Sequence, residues 1–93
     1  MSYRQASKYE GQAKELGVSK VARSSRGFMR EYERAGSSRS MKSRPVPGKN
    51  QTWGSRRDAF IKRHIVQYNK NPTKRRWLAL IMWGFMPDKS PMD

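Results

Sequence analysis

The sequence contains no cysteine and a single histidine, His64. Without thiols there is no disulfide framework, no thiol nucleophile and no cysteine-built zinc site. One imidazole cannot make a multi-histidine metal centre, and the usual Ser-His-Asp arrangement is absent. Acid is scarce as well: seven Asp and Glu stand against 21 Lys and Arg, a net charge of +14. Leu, Ile, Val and Phe together number only 13 of 93 residues. So few aliphatics with so much charge fall in the range where chains commonly fail to fold. Six Met, four Tyr and three Trp partly offset this, so the expectation is a thin helical core with unfolded stretches. A chain of this length allows one small domain or a pair of helical units and leaves no room for a large substrate cavity.

Long apolar runs are missing too. The longest, Trp77 to Met86, is ten residues, far short of the ~20 that span a bilayer. The opening MSYRQASKYEG has no apolar signal region, so the protein is expected inside a cell or a virion, not secreted. The carboxylates offer no acid–base or two-metal pair. Glu10 and Asp58 sit in capping patterns, Glu31 and Glu33 lie among arginines, and Asp88 and Asp93 belong to the tail. No catalytic residue, metal ligand, cofactor or small-molecule substrate is expected, and the chain reads as a non-enzyme.

What is present is helical periodicity and positive charge. Ser7-x-x-Glu10 is a capping-box pattern, with Tyr9, Ala13 and Leu16 at helical spacing before Gly17, which predicts a helix over about 7–16. Glu10 and Lys14 form a favourable i,i+4 pair. Ser19 is placed to cap a second helix that stops at Gly36. On it Val21, Phe28, Met29, Tyr32 and Ala35 share an apolar arc, while Lys20, Arg23, Arg26, Arg30 and Arg34 share the opposite one. Residues 37–54 hold Ser, Gly, two prolines and four cations without one acid, the composition of a basic flexible linker. Ser55-x-x-Asp58 opens a third helix with Phe60, Ile61, His64, Ile65 and Tyr68 on one face and Arg56, Lys62, Arg63 and Lys70 facing away. Asn69-Lys70-Asn71-Pro72 closes it. Thr73 caps a fourth, from Lys74 to about Trp83, with Gly84 as its stop and Pro87 beyond.

The expected fold is therefore all-α: about four short helices in two hairpins joined by a flexible linker. The units are 1–36, the linker 37–54, a second hairpin 55–86 and a tail 87–93. The fourth helix is apolar on every side, which makes it either the hub of the core or a surface for a partner, with Trp53, Trp77, Trp83 and Phe85 as the candidate interface.

Two motifs compete with plain packing. Ala13-x-x-x-Gly17-Val18-Ser19 has the small residue, turn glycine and cap of a helix-turn-helix, but Arg23 stands where its second helix needs an apolar side chain. Arg44-Pro45-Val46-Pro47-Gly48-Lys49 superficially resembles a phosphate loop, yet Ser43 replaces the first glycine and Asn50 the final Ser/Thr, so that reading fails. Trp53 in its basic surroundings suits base stacking, although a Trp before a helix cap more often packs on its own hairpin.

The charge is the broader signal. Residues 19–36 sum to +3, 37–54 to +4, 55–76 to +7 and 77–93 to −1. Unbalanced charge works against folding in so small a chain, and arginines at helical spacing are what phosphate contacts need. DNA or RNA is thus the expected partner. Lys20, Arg23, Arg26, Arg30, Arg34, Arg56, Arg57, Lys62, Arg63, Lys74, Arg75 and Arg76 are the candidate contacts. The alternative is a structural or regulatory protein docking on an acidic viral or host protein through these stripes and the apolar helix. A membrane-surface role comes third, because the apolar helix lacks a good polar face.

Gly27-Phe28, Tyr32, Gly36, Met41-Lys42, Pro45-Val46, Arg56-Arg57 with Phe60, and Pro72-Thr73 leading to Trp77 follow in an order that resembles a family of small basic tailed-phage proteins of unknown function, notably from phages of cyanobacteria. The resemblance covers about half the chain. That family carries Cys-Ala-Arg after Arg-Arg-x-x-Phe, where this chain has Ile61-Lys62-Arg63 and keeps the arginine. It implies a phage setting, in the virion or the infected cell, and no activity.

Overall fold

The computed structural model describes residues 1–36 and 38–92; Ser37, assigned above to the linker, and Asp93, assigned to the tail, lie outside the described residues. The chain is all-α. Its helices are α1 Tyr3–Ser7, α2 Glu10–Glu15, α3 Phe28–Ala35, α4 Ser38–Met41, α5 Trp53–Lys70 and α6 Lys74–Ile81. The only sheet-like pairing among the described residues is one antiparallel bridge between Pro45 and Thr52.

The expected first helix is two. Ser2 caps α1, its hydroxyl accepting from the Gln5 amide at 3.2 Å while the Gln5 side chain accepts from the Ser2 amide at 2.9 Å. This capping box lies five residues upstream of the expected one. Ser7 instead donates its hydroxyl back to the Arg4 carbonyl at 2.9 Å, and so caps nothing. After the break at Lys8-Tyr9 the Tyr9 ring meets Trp77 edge-on, with centroids 5.0 Å apart. Gly17, at φ 65°, ends α2. Its amide reaches the Lys14 carbonyl at 3.1 Å and the Val18 amide the Ala13 carbonyl at 2.8 Å, the double bond of a Schellman motif.

The expected second helix, 19–36, is helical only from Phe28. Ser19 takes a left-handed φ of 54° and caps no helix. Residues 20–27 are a chain of turns. The physical reason lies at Gly27: a Cβ there would stand 2.6 Å from the Ala22 carbonyl oxygen and closer still to that of Val21. The turns fold tightly onto the start of α3, and the Met29 amide bonds to the Ala22 carbonyl at 2.9 Å. Phe28, Met29 and Tyr32 are fully buried as the periodicity implied, but Val21 is 67% exposed. No recognition helix begins at Ser19, so the helix-turn-helix motif that Arg23 already spoke against is not formed.

The basic stretch before α5 is built into the core. Met41 and Val46 are buried. The Val46 amide bonds to the Gln51 carbonyl, the Trp53 amide to that of Arg44 and the Gly54 amide to that of Lys42. Thr52, not Ser55, caps α5 by accepting from the Ser55 amide at 3.2 Å. Trp53 therefore stands in the first helical turn, buried, and the Asp58 side chain points to solvent. The α5 end at Asn71 and the Thr73 cap of α6 fall where the sequence put them. The fourth helix stops at Ile81, two residues early. Gly84 at φ 73° terminates it, with the Phe85 amide on the Leu80 carbonyl at 3.0 Å.

One apolar core holds all this, with buried side chains from Ala6 through Phe28, Met41 and Trp53 to Ile81 and Trp83. The N-terminal and C-terminal residues that the sequence divided into separate units share it. The apolar α6 is its hub: Leu78, Leu80 and Ile81 have no exposed surface. The tail folds back, Tyr68 donating its hydroxyl to the Lys89 carbonyl at 2.5 Å and the Met92 amide bonding to the Pro72 carbonyl at 2.8 Å.

Candidate nucleic-acid interface

Of the twelve candidate cations, some bind other parts of the chain and some face solvent; Arg75 and Arg76 do both, each giving one nitrogen to a backbone carbonyl while lining a groove. Arg30 is among the first. Its Nη2 donates to both Glu10 carboxylate oxygens at 2.7 Å and to the Tyr3 hydroxyl at 3.3 Å, and Glu33 lies 3.7 Å from Nη1. Burial works against the Arg30 charge, but Glu10, Tyr3 and Glu33 outweigh it and the guanidinium pKa is raised. The Tyr3 hydroxyl is pushed up by burial and then by Glu10. Glu10 is therefore an anchor between α2 and α3, not the helix cap expected of it. Arg34 pairs with Glu31 at 3.5 Å, and Glu31 also receives Arg44. Three of the seven acids thus answer the arginines of α3.

Other arginines bind backbone. Arg23 Nε donates to the Val18 carbonyl at 2.8 Å. Arg57 donates to the carbonyls of Trp83 and Gly84 at the end of α6, a placement that suits the negative end of a helix. Arg75 reaches the Leu16 carbonyl at the end of α2, and Arg76 the Asn71 carbonyl at 3.2 Å. The single basic stripe expected over 19–36 does not exist, since Lys20, Arg23 and Arg26 leave the helix before Arg30 and Arg34 enter it.

The second group is spread over the turns 20–27, α5 and the start of α6. Lys20, Arg26, Lys62 and Arg63 are exposed, and no acid pairs with them among the described residues. Lys74 is exposed at the start of α6. Arg56, Arg63 and Lys70 follow at seven-residue spacing on α5, which aligns them on one stripe of about 20 Å. Two shallow grooves flank the loop 17–22. One, of about 340 Å³, is lined by Lys20, Val21, Arg56, Phe60, Arg63 and Trp83 among others. The second, of about 300 Å³, is lined by Val18, His64, Gln67, Arg75, Arg76 and Ala79 with Gly17 and Ser19. Five cations line the pair. No carboxylate does.

The candidate interface aromatics are redistributed. Trp53 and Trp83 are buried in the core, Trp77 and Phe85 half-buried, so these rings do not form the exposed patch that the partner reading needed. Arg56 lies over Trp53 at 5.7 Å and Trp83 at 5.9 Å, holding its charge at the rim. Below it the rings of Phe28, Trp83, Phe60 and His64 follow one another, with centroids 4.9, 4.8 and 4.0 Å apart. His64 ends the column, half-buried, its pKa lowered by burial and then by Arg63.

Sequence reasoning missed the turn 19–22, Phe60, His64 and Gln67 as groove residues. The i,i+4 spacing of Phe60 and His64 was a usable signal for the stack; nothing local announced the turn. Among the described residues no cluster of His, Asp and Glu can hold a metal ion, and no helix is long and apolar enough to cross a membrane. Comparisons with family models, curated proteins and solved structures gave no match.

Proposed function

We propose that this is a non-enzymatic protein that binds nucleic acid with little sequence preference, through the face formed by the loop 17–22, the outer stripe of α5 and the start of α6. The observation that carries this reading is the separation of charge. Glu10, Glu31 and Glu33 neutralise the arginines of α3, whereas the grooves beside α5 collect Lys20, Arg56, Arg63, Arg75 and Arg76 with no acid. Many cations without a fixed hydrogen-bond pattern suit a phosphate backbone and carry no base code. The phage resemblance gives this activity a setting on viral or host nucleic acid. The rival, docking on an acidic protein, loses the apolar surface that motivated it, because α6 lies in the core.

A competition assay separates the two. Labelled oligonucleotide should bind at moderate salt and be displaced by unlabelled nucleic acid of unrelated sequence, with polyglutamate of equal charge competing poorly. Equal competition by polyglutamate would leave only nonspecific charge attraction and return the case to an acidic protein.

A further inference from the structure

We infer that the groove ended by His64 takes an unpaired base, stacked on the open side of the imidazole, so that the ligand of this face is a single polynucleotide strand. The inference rests on the nucleic-acid reading above and specifies which form of nucleic acid it concerns. Phe60 covers one side of the His64 ring at 4.0 Å and 25°, and the column behind it is anchored on buried Trp83 and Phe28. The platform is thus backed by the core, and His64 lines the ~300 Å³ groove while Phe60 does not, so the ring face that Phe60 leaves uncovered is the one we assign to the base. That volume is at the lower end of ligand pockets, about right for one base and its sugar. Small or apolar neighbours, Val18 and Ala79, leave space for a flat ring, and the Gln67 amide can meet a base edge. Arg75 and Arg76 stand beside it, and Arg63 lies one residue from His64, where the flanking phosphates would run.

Stacking on a protein ring requires an exposed base face, which a duplex keeps inside its own stack. Burial and Arg63 favour the neutral imidazole, so the stacking contribution should not follow salt as the arginine contribution does.

The test uses the full chain and fluorescence anisotropy with labelled oligothymidylate, oligouridylate and a duplex of the same length. A single strand should bind about tenfold more tightly than the duplex, and the better of the two strands identifies the sugar. His64→Leu, which keeps the volume but has no π face, should lose about tenfold in single-strand affinity, with duplex affinity and salt slope unchanged. His64→Phe should retain single-strand binding, and guards against a mere packing effect. Equal affinity for strand and duplex, or a Leu variant that binds the strand as the parent does, overturns the stacking site. If the salt slope persists in that case, the charged-face reading stands alone. Absence of binding to all three probes brings down both.

Discussion

Arg57 on α5 holds the end of α6: its Nε donates to the Trp83 carbonyl at 2.9 Å and its Nη2 to the Gly84 carbonyl at 2.8 Å. Two planar donors meet the two carbonyls of the turn that follows α6. Arg57→Ala should cost ~1–3 kcal/mol in urea unfolding, because both part-buried acceptors lose a charged partner. Arg57→Lys should recover little, having no fork. The salt slope of nucleic-acid binding should stay as in the parent; a weakened slope with unchanged stability would place Arg57 on phosphate.

The Arg30–Glu10 pair joins elements twenty residues apart in the chain. A double-mutant cycle with Arg30→Ala and Glu10→Ala should give a coupling of about 1 kcal/mol, since both side chains are a quarter to a third exposed and solvent screens them. Arg30→Glu would set a third carboxylate beside Glu10 and Glu33, so it should lower the melting temperature. Zero coupling would mean that the pair does not tie α2 to α3.

Two glycines should respond oppositely to the same change. Gly27→Ala pushes a methyl group against the Val21 and Ala22 carbonyls, and should strongly destabilise or abolish folding. Gly11, within α2, meets nothing within 4 Å. Gly11→Ala should stabilise by ~0.5–1 kcal/mol through helix propensity and a less flexible unfolded chain. Thermal melts of the two variants check both signs.

His64 gives the fold an acid sensitivity. Its folded pKa lies below the unfolded value of about 6.5. The unfolded chain therefore takes up the proton first as pH falls. Stability is complete above about pH 6.5 and is lost as pH falls through the folded value. The urea midpoint should drop between pH 7.5 and 5 in the parent and drop less in His64→Phe. Identical pH profiles would show that the ring is as solvated folded as unfolded.

These contrasts mark what the sequence made legible. Stops are local, so the Asn71-Pro72 break and Gly84 could be read directly, and the apolar run of α6 could only be a core hub or an interface. Of the expected caps only that of Thr73 forms, because Ser7, Ser19 and Ser55 carry the same local pattern and cap nothing. The first half of the helix expected from Ser19 to Gly36 failed because periodicity continues through residues whose path is fixed from elsewhere: left-handed Ser19, and Gly27 against the Val21 and Ala22 carbonyls. The basic linker failed for the same reason, since two apolar side chains, Met41 and Val46, suffice to dock it and do not form a pattern. Cations were countable, but their partners were not. Arg57 finds a carbonyl 26 residues away, and only the folded chain shows which charges remain for a ligand.

The most direct test of the charged face is the salt dependence of oligothymidylate binding, measured by anisotropy across a series of salt concentrations. Five phosphate contacts from Lys20, Arg56, Arg63, Arg75 and Arg76 would give a slope of log K against log salt of about −3.5 on a single strand. Arg63→Gln and Arg75→Gln should each make that slope shallower by about 0.7, alike for unrelated sequences, while Arg34→Gln on the neutralised α3 should leave it unaltered. A slope near zero, or one that responds to Arg34 and not to Arg63 or Arg75, would contradict the assignment of nucleic acid to this face.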